Sequence, residues 1–260
     1  MEIVVLLKQV PATDVLVEIA DDGQSINTGA VSWIISPYDE FAVEEAIKIK
    51  EKHGGNVTVL TIGPKKAQEA IRTALAMGAD QGILIDDPAA IAADGLGTAK
   101  IVTAALKEIP HDLVIAGQRA VDDEGYQVAV AVAELTGLPC VNLVIKQKIE
   151  DETICCTRTV EGGTVTMKAP LPMLFTTQRG LNEPRYASLP GVMKAKKKPL
   201  TIKALADIQF DLESLKGPAV EITRLTPPPA RATGRIIEGE TAAQKASELI
   251  KALREEAKVI

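Results

Sequence analysis

The chain has 260 residues, enough for one large domain or for one domain with an appendage. Hydrophobic residues make up 46% and charged residues 25%, a globular balance that excludes intrinsic disorder as the main state. Aromatics are only 3%, so the core must be built from Ala, Val, Ile and Leu, and the formal charge of −6 argues against general nucleic-acid binding.

The first two thirds of the chain alternate in type. Residues 3–7 have the length and composition of a buried strand. Residues 15–19 and 30–35 flank the turn signal Asp21-Asp22-Gly23 and predict a hairpin beside the main sheet. Ser36-Pro37 predicts a helix start, with Ser36 as its cap. Val43, Ala46 and Ile47 form the apolar stripe of that helix, and Glu44 and Lys48 are expected on its wet side. Residues 56–62, 82–85 and 112–116 read as further strands, separated by helical patterns through Ala70, Ile71, Ala74 and Leu75 and through Val102, Ala105 and Leu106. A helix is expected over about residues 127–135. This rhythm predicts right-handed crossovers and a doubly wound, mostly parallel α/β sheet.

After Pro139 the rhythm changes. Residues 140–145, 153–160, 164–168 and 173–177 read as strands with few helical signals between them. They predict an antiparallel extension, with a hairpin turn at Glu161-Gly162-Gly163. Residues 181–190 are irregular and polar, and a basic cluster follows at 194–198. Residues 200–240, with Pro227-Pro228-Pro229, lack sustained periodicity, and a stretch of that length without its own core is expected to lie on something else. Thr241 and Gln244 make a capping box for a last amphipathic helix carrying Ala246, Leu249, Ile250 and Leu253. The expected division is therefore a nucleotide-binding α/β domain at 1–199, including the segment 181–198, and an extended arm at 200–260.

No apolar run approaches the roughly 18–20 residues of a membrane span, so no membrane insertion is expected. The apolar stretch after Glu2 is too short for a secretory leader. Cys140, Cys155 and Cys156 form no CxxC or CxxH pattern, which fits a cytoplasmic chain with buried thiols. His53 and His111 have no metal-ligand neighbour at standard spacing, and no Walker A sequence or GxGxxG fingerprint occurs. No complete catalytic apparatus is visible, and no metal is expected.

In an open α/β sheet, ligands bind outside the carboxyl ends of the strands where the strand order reverses. Four segments fall at such ends: residues 6–10, 36–39, 62–64 and 117–128. The last reads Gly117-Gln118-Arg119-Ala120-Val121-Asp122-Asp123-Glu124-Gly125, then Tyr126-Gln127-Val128 at the helix start. Backbone N–H groups at that helix start suit a phosphate. Equally, Asp122, Asp123 and Glu124 could simply complement the helix dipole. The lysine cluster reads either as a solvated patch or as a rim that draws in an acidic partner, with Leu189-Pro190 as its apolar anchor.

The run Leu181-Asn182-Glu183-Pro184-Arg185-Tyr186-Ala187-Ser188-Leu189-Pro190, followed by Val192-Met193-Lys194-Ala195-Lys196-Lys197-Lys198, resembles the recognition segment of electron transfer flavoprotein beta subunits. Three more blocks agree: Phe41-Ala42-Val43-Glu44-Glu45-Ala46, Ile71-Arg72-Thr73-Ala74-Leu75-Ala76-Met77-Gly78-Ala79-Asp80, and the loop after Gly117 with its Asp122-Asp123 pair. The resemblance extends over essentially the whole chain. It implies a heterodimer with an alpha subunit that holds most of one FAD. That FAD carries electrons from dehydrogenases, such as acyl-CoA dehydrogenases, to a membrane quinone oxidoreductase. The beta subunit is then an electron carrier subunit rather than an enzyme.

The resemblance further implies a structural AMP on Leu6, Ser36, Pro37, Tyr38, Asp39, Ile62 and the residues from Gly117 to Val128. Tyr38 matches an aromatic near the flavin. Leu189 matches the anchor to acyl-CoA dehydrogenases, with Pro190, Lys194, Lys196 and Lys197 around it. The arm matches the embrace of the alpha subunit. Ordinary members carry Asn-Gln-Thr where this chain has Tyr126-Gln127-Val128, which leaves phosphate binding to backbone donors and Gln127. Electron-bifurcating members, which bind a second FAD where AMP otherwise sits and use NADH, share Gln127-Val128 and a start like Lys8-Gln9-Val10-Pro11. They have Gly where this chain has Asp123 and Ala where it has Tyr126. AMP is the expected occupant, and a second FAD is the alternative.

Overall fold

The computed structural model describes residues 1–29, 31–215, 217, 219–230 and 233–260. They divide into two compact units, Met1–Thr223 and Arg224–Ile260. In the first unit, β1 (Glu2–Leu6) leads to β2 (Gln9–Pro11) and β3 (Trp33–Ile35), which pair antiparallel as a separate ribbon. α1 (Pro37–His53) leads to β4 (Asn56–Ile62), and α2 (Gln68–Met77) leads to β5 (Gln81–Ile85). α3 (Pro88–Ile91) and α4 (Gly95–Leu106) precede β6 (Leu113–Gly117), and α5 (Val128–Thr136) precedes β7 (Cys140–Glu150). β8 (Thr153–Val160), β9 (Gly163–Pro170), β10 (Met173–Thr177), α6 (Leu189–Ala195) and β11 (Leu200–Lys203) complete it.

The main sheet has nine strands in the order β11-β5-β4-β1-β6-β10-β7-β8-β9. The strands from β11 to β7 run parallel, and β8 and β9 are antiparallel. The fold is thus the expected doubly wound α/β sheet with an antiparallel portion. Alternate residues of each parallel strand feed two cores. Ile3, Val5, Val59, Ile115 and Phe175 pack with Val43, Ala46 and Ile47 of α1 and Ile71 and Leu75 of α2. Val4, Leu60, Val114 and Leu174 pack with Ile101 and Val102 of α4 and Val132 of α5. Small helix residues such as Ala42, Ala46, Ala74 and Ala129 let the helices lie close to the sheet, which is how a core so poor in aromatics fills its space.

Several expectations change. The segment 15–19 is not a strand: Leu16 is 87% exposed and has nothing to pack against, and only an isolated bridge joins Ile19 to Ile26. Ala30, where the second arm of that hairpin is expected to begin, lies outside the described residues. β7 and β10 are parallel members of the main sheet, so the antiparallel addition is confined to β8 and β9. The expected boundary at 199/200 moves to Thr223/Arg224, because β11 joins the sheet beside β5, and Leu205 and Ile208 are buried in the core. In the second unit, α7 (Ala242–Glu255) carries the expected capping box, with Thr241 Oγ1 accepting from Gln244 N at 3.2 Å, and leaves Leu249 and Ile250 exposed.

Glu44 is the largest departure within a helix. It is 4% exposed rather than on the wet side, and its carboxylate receives three hydrogen bonds from Arg185: backbone N at 3.1 Å, Nε at 2.8 Å and Nη2 at 3.0 Å. The same guanidinium reaches Glu51 at 2.6 Å. Beside it, Asn182 Nδ2 donates to Phe41 O and to Glu45 Oε2, and Gln147 Nε2 donates to Glu45 Oε1. Two buried acids of α1 therefore fasten the irregular segment 181–188 to the domain. Arg185→Ala leaves Glu44 buried without its cation, and we expect it to lower unfolding free energy by about 3 kcal/mol, at the low end for breaking a buried ion pair because Arg185 is partly solvated. Urea denaturation of wild type and variant measures this; unchanged midpoints would contradict it.

Candidate functional site

The ladder between β1 and β6 ends with Leu6 opposite Ala116. Here the strand order reverses, since β4 and β5 continue from one side of β1 and β6 and β10 lie on the other. The crevice opens where the two chains diverge. Asp39, in the first turn of α1, spans the gap. Its Oδ2 accepts the Lys8 N–H at 2.8 Å and its Oδ1 accepts the Gly117 N–H at 2.9 Å. Burial pushes this carboxyl up to about 7, against the pull of both N–H groups and of the Lys8 ammonium. Gly117 is required at this approach: a Cβ there would collide with Asp39 Oδ1 and lie 2.8 Å from the Tyr38 backbone.

The acids of the loop do not complement the α5 dipole. Lys8 Nζ lies 2.8 Å from both Asp122 Oδ2 and Asp123 Oδ2. Asp123 Oδ1 accepts the Gly125 N–H at 3.0 Å, and Glu124 lies 3.6 Å from Arg119. Although burial opposes it, the two aspartates hold Lys8 above its ordinary value. Burial works against Asp123 as well, yet Lys8 and the Gly125 N–H hold it low. In the sequence, Lys8 falls within the strand-end segment 6–10, but no role is assigned to its side chain there. A lysine two residues past the first strand, opposite an acidic loop at the switch point, is the signal that could have marked its pairing with Asp122 and Asp123.

Arg119 lies between two rings, 5.1 Å from the centroid of Tyr38 and 5.0 Å from that of Tyr126. It donates to both tyrosine hydroxyls, at 3.1 Å to Tyr38 and closely to Tyr126. Glu124 and Tyr126 take positive φ of 48° and 56°, so the loop turns tightly into α5. Gln127 provides no side-chain cap for α5 and instead lies beside Gly95 at the start of α4. The first-turn N–H groups of α5 are thus left for another acceptor. Ser36 does not cap α1 as expected: Pro37 takes the first helical position, and the fully buried Ser36 Oγ has no hydrogen-bond partner among the described residues.

Leu6 is buried, Ile62 is half-buried at the end of the neighbouring strand, and Gln118 is buried with Nε2 on Gln178 Oε1 at 2.8 Å. Ala120, Val121 and Val128 are half-buried along the loop, while Gly125 and Gln127 are exposed. The structure therefore places the expected strand-end segments at the carboxyl ends of the neighbouring parallel strands β4, β1 and β6. Residues 181–198 form a separate surface. Leu189 is 77% exposed at the start of α6, where Ser188 Oγ caps it by accepting from Gly191 N. Pro190, Lys194, Lys196 and Lys197 follow it in the chain, and all four are exposed. Lys198 does not belong to this rim: its Nζ donates to Leu75 O at 2.9 Å and to Ala79 O, closing the end of α2.

The thiols are free, and burial pushes Cys140 up to about 11 and Cys156 up to about 12, so neither is an activated nucleophile. Among the described residues, no group of three His, Cys, Asp or Glu side chains is placed to hold a metal ion, and no helix is long and apolar enough to cross a membrane.

An electron transfer flavoprotein domain matches residues 25–208. The chain is 43% identical to the electron transfer flavoprotein subunit beta of Bacillus subtilis (strain 168), over 100% of both chains. It is 38% identical to the subunit of the same name from Bradyrhizobium diazoefficiens, again over 100% of both. Over 98% of both chains it is 37% identical to the caffeyl-CoA reductase-Etf complex subunit CarD of Acetobacterium woodii. A doubly wound sheet with its crevice between β1 and β6, a polar segment fastened to α1, and agreement of this extent lead to one assignment: the chain belongs to the electron transfer flavoprotein beta-subunit family, whose members serve electron transport.

Proposed function

We propose that this chain is the beta subunit of a heterodimeric, cytoplasmic electron transfer flavoprotein and holds an AMP in the crevice between β1 and β6. The observation that carries this reading is the α5 start. Its N–H groups have no side-chain cap, and the nearby acids are engaged by Lys8 and Arg119, which leaves backbone donors able to take a phosphate. Ser36 Oγ, buried and without a partner among the described residues, also fits a nucleotide.

A FAD held mainly by the alpha subunit supplies the redox chemistry when bound. In this reading the donors are acyl-CoA-type dehydrogenases and the acceptor is a quinone oxidoreductase. Tyr38 lies on the flavin side, Leu189 with Pro190, Lys194, Lys196 and Lys197 meets the dehydrogenase, and the arm that ends in α7 packs on the alpha subunit.

The second reading, a second FAD in the same crevice with NADH as donor, draws support from the 37% identity to the CarD subunit. The Tyr38–Arg119–Tyr126 stack favours AMP, because a larger ligand would have to separate a pair of rings joined through one guanidinium. Acid precipitation of the purified heterodimer, with FAD and AMP counted in the supernatant, distinguishes these readings. One FAD and one AMP is the expected result; two FAD and no AMP overturns it in favour of the second reading.

Docking has its own test. Leu189→Ala removes an exposed anchor without touching either core. It is expected to slow flavin reduction by a partner acyl-CoA dehydrogenase roughly tenfold, about 1.4 kcal/mol, with FAD and AMP content unchanged. Stopped-flow reduction at varied dehydrogenase concentration reads this directly, and equal rates would remove Leu189 from the interface.

A further inference from the structure

We propose that Asp39 is a positioning residue for the crevice: its carboxylate ties the two chains at the point where β1 and β6 diverge, and so holds the phosphate-binding loop in its binding arrangement without touching the ligand. This rests on the adenylate reading above. Family resemblance places Asp39 among the nucleotide contacts. The structure gives its two oxygens other work, because each already accepts one backbone N–H, from Lys8 on one side and from Gly117 on the other. The side chain is 6% exposed and sits directly beyond the last rung of the ladder, Leu6 opposite Ala116. The absence of a Cβ at Gly117 is what admits the carboxylate. Outside this inner tie, Lys8 Nζ reaches across to Asp122 and Asp123, so the same two chains are joined a second time at the surface.

Two N–H donors aimed at two oxygens require the ionised carboxylate. A protonated carboxyl or an asparagine amide puts a donor opposite one of those N–H groups and opens half of the tie. The charged and titratable groups around Asp39 are Lys8 on the chain after β1, Asp122, Asp123 and Arg119 on the loop after β6, and Tyr38 and Glu40 on its own helix. Of these, Lys8 favours ionisation and Asp122 opposes it, and burial outweighs both, raising the value from 3.8 to about 7.

The sign of the pH effect is distinctive. Between those values the folded chain holds a proton that the unfolded chain has lost, so the contribution of Asp39 to stability falls as pH rises through this window and is level above about 7. The tie itself is made by the ionised form and strengthens as pH rises through about 7, where the stability contribution is completing its fall. Grip on the nucleotide therefore increases without any matching gain in global stability from Asp39.

The test follows exchange of bound AMP against labelled AMP in the purified heterodimer from pH 5.5 to 8.5, for wild type and Asp39→Asn. We expect wild-type release to slow about tenfold as pH rises through neutrality, and Asp39→Asn to release at the fast rate throughout. Protonation of the AMP phosphate, near pH 6, would move both proteins alike. A pH-independent wild type, or Asp39→Asn releasing as slowly as wild type at pH 8.5, overturns the proposal. Should Asp39→Asn fail to fold, hydrogen exchange of the Lys8 and Gly117 amides in the wild type decides: protection that grows as pH rises through neutrality, after allowance for intrinsic exchange, upholds the proposal, and unchanged protection overturns it.

If the wild type carries no adenine nucleotide, the adenylate reading fails by itself. The tie is then judged on hydrogen exchange of the Lys8 and Gly117 amides at pH 8.5. Exchange at least tenfold faster in Asp39→Asn upholds it, and equal protection overturns it.

Discussion

Where neighbouring parallel strands diverge, each leaves backbone donors that the ladder no longer pairs, and a buried N–H without an acceptor is costly. In this protein that cost falls at the mouth of the crevice, and a single carboxylate meets it on both sides. The rest of the site follows from the solution. Asp39 must be deep, so residue 117 must be glycine. With Lys8 N held inside, its side chain is free to reach outward and gather Asp122 and Asp123. With those acids gathered, the start of α5 keeps its N–H groups clear of competing carboxylates. A loop that reads in sequence as three misplaced negative charges becomes, in three dimensions, a nearly neutral rim.

Much of the architecture was legible because β1, β4, β5 and β6 are covered on both faces. Such strands read as continuous apolar runs, and their spacing with helices leaves few topologies. The elements that escaped were those whose fate depends on distant partners. Val15 to Ile19 carries apolar residues at strand spacing, yet no neighbouring sheet receives them. Glu44 and Lys48 look like an ordinary surface pair until Arg185, far along the chain, arrives to draw Glu44 inward. The direction of β10 depends on its insertion between β6 and β7, which no local pattern encodes.

The site divides in the same way. The location expected for the candidate site, at the carboxyl ends of β1, β4 and β6, followed from topology. The roles of individual side chains did not. Ser36 has the residue type of a cap and is buried without a partner among the described residues. Gln127, expected at the phosphate, lies beside Gly95. Arg119 gave no sequence signal for its place between Tyr38 and Tyr126, because stacking of a guanidinium on two rings depends on the positive φ at Tyr126 that turns the second ring back. Sequence locates such a site through chain periodicity, while the wiring within it is set by loop conformations that periodicity does not reach.

The fastening of residues 181–188 to α1 has a kinetic meaning. A segment held by Arg185, Asn182 and two buried glutamates is already in its final shape before any encounter. Under the proposed docking role, a segment ordered in advance spares each encounter the time and entropy of ordering a floppy one. In that proposal the exposed lysines govern how often partners meet, while the small apolar tip leaves them free to separate.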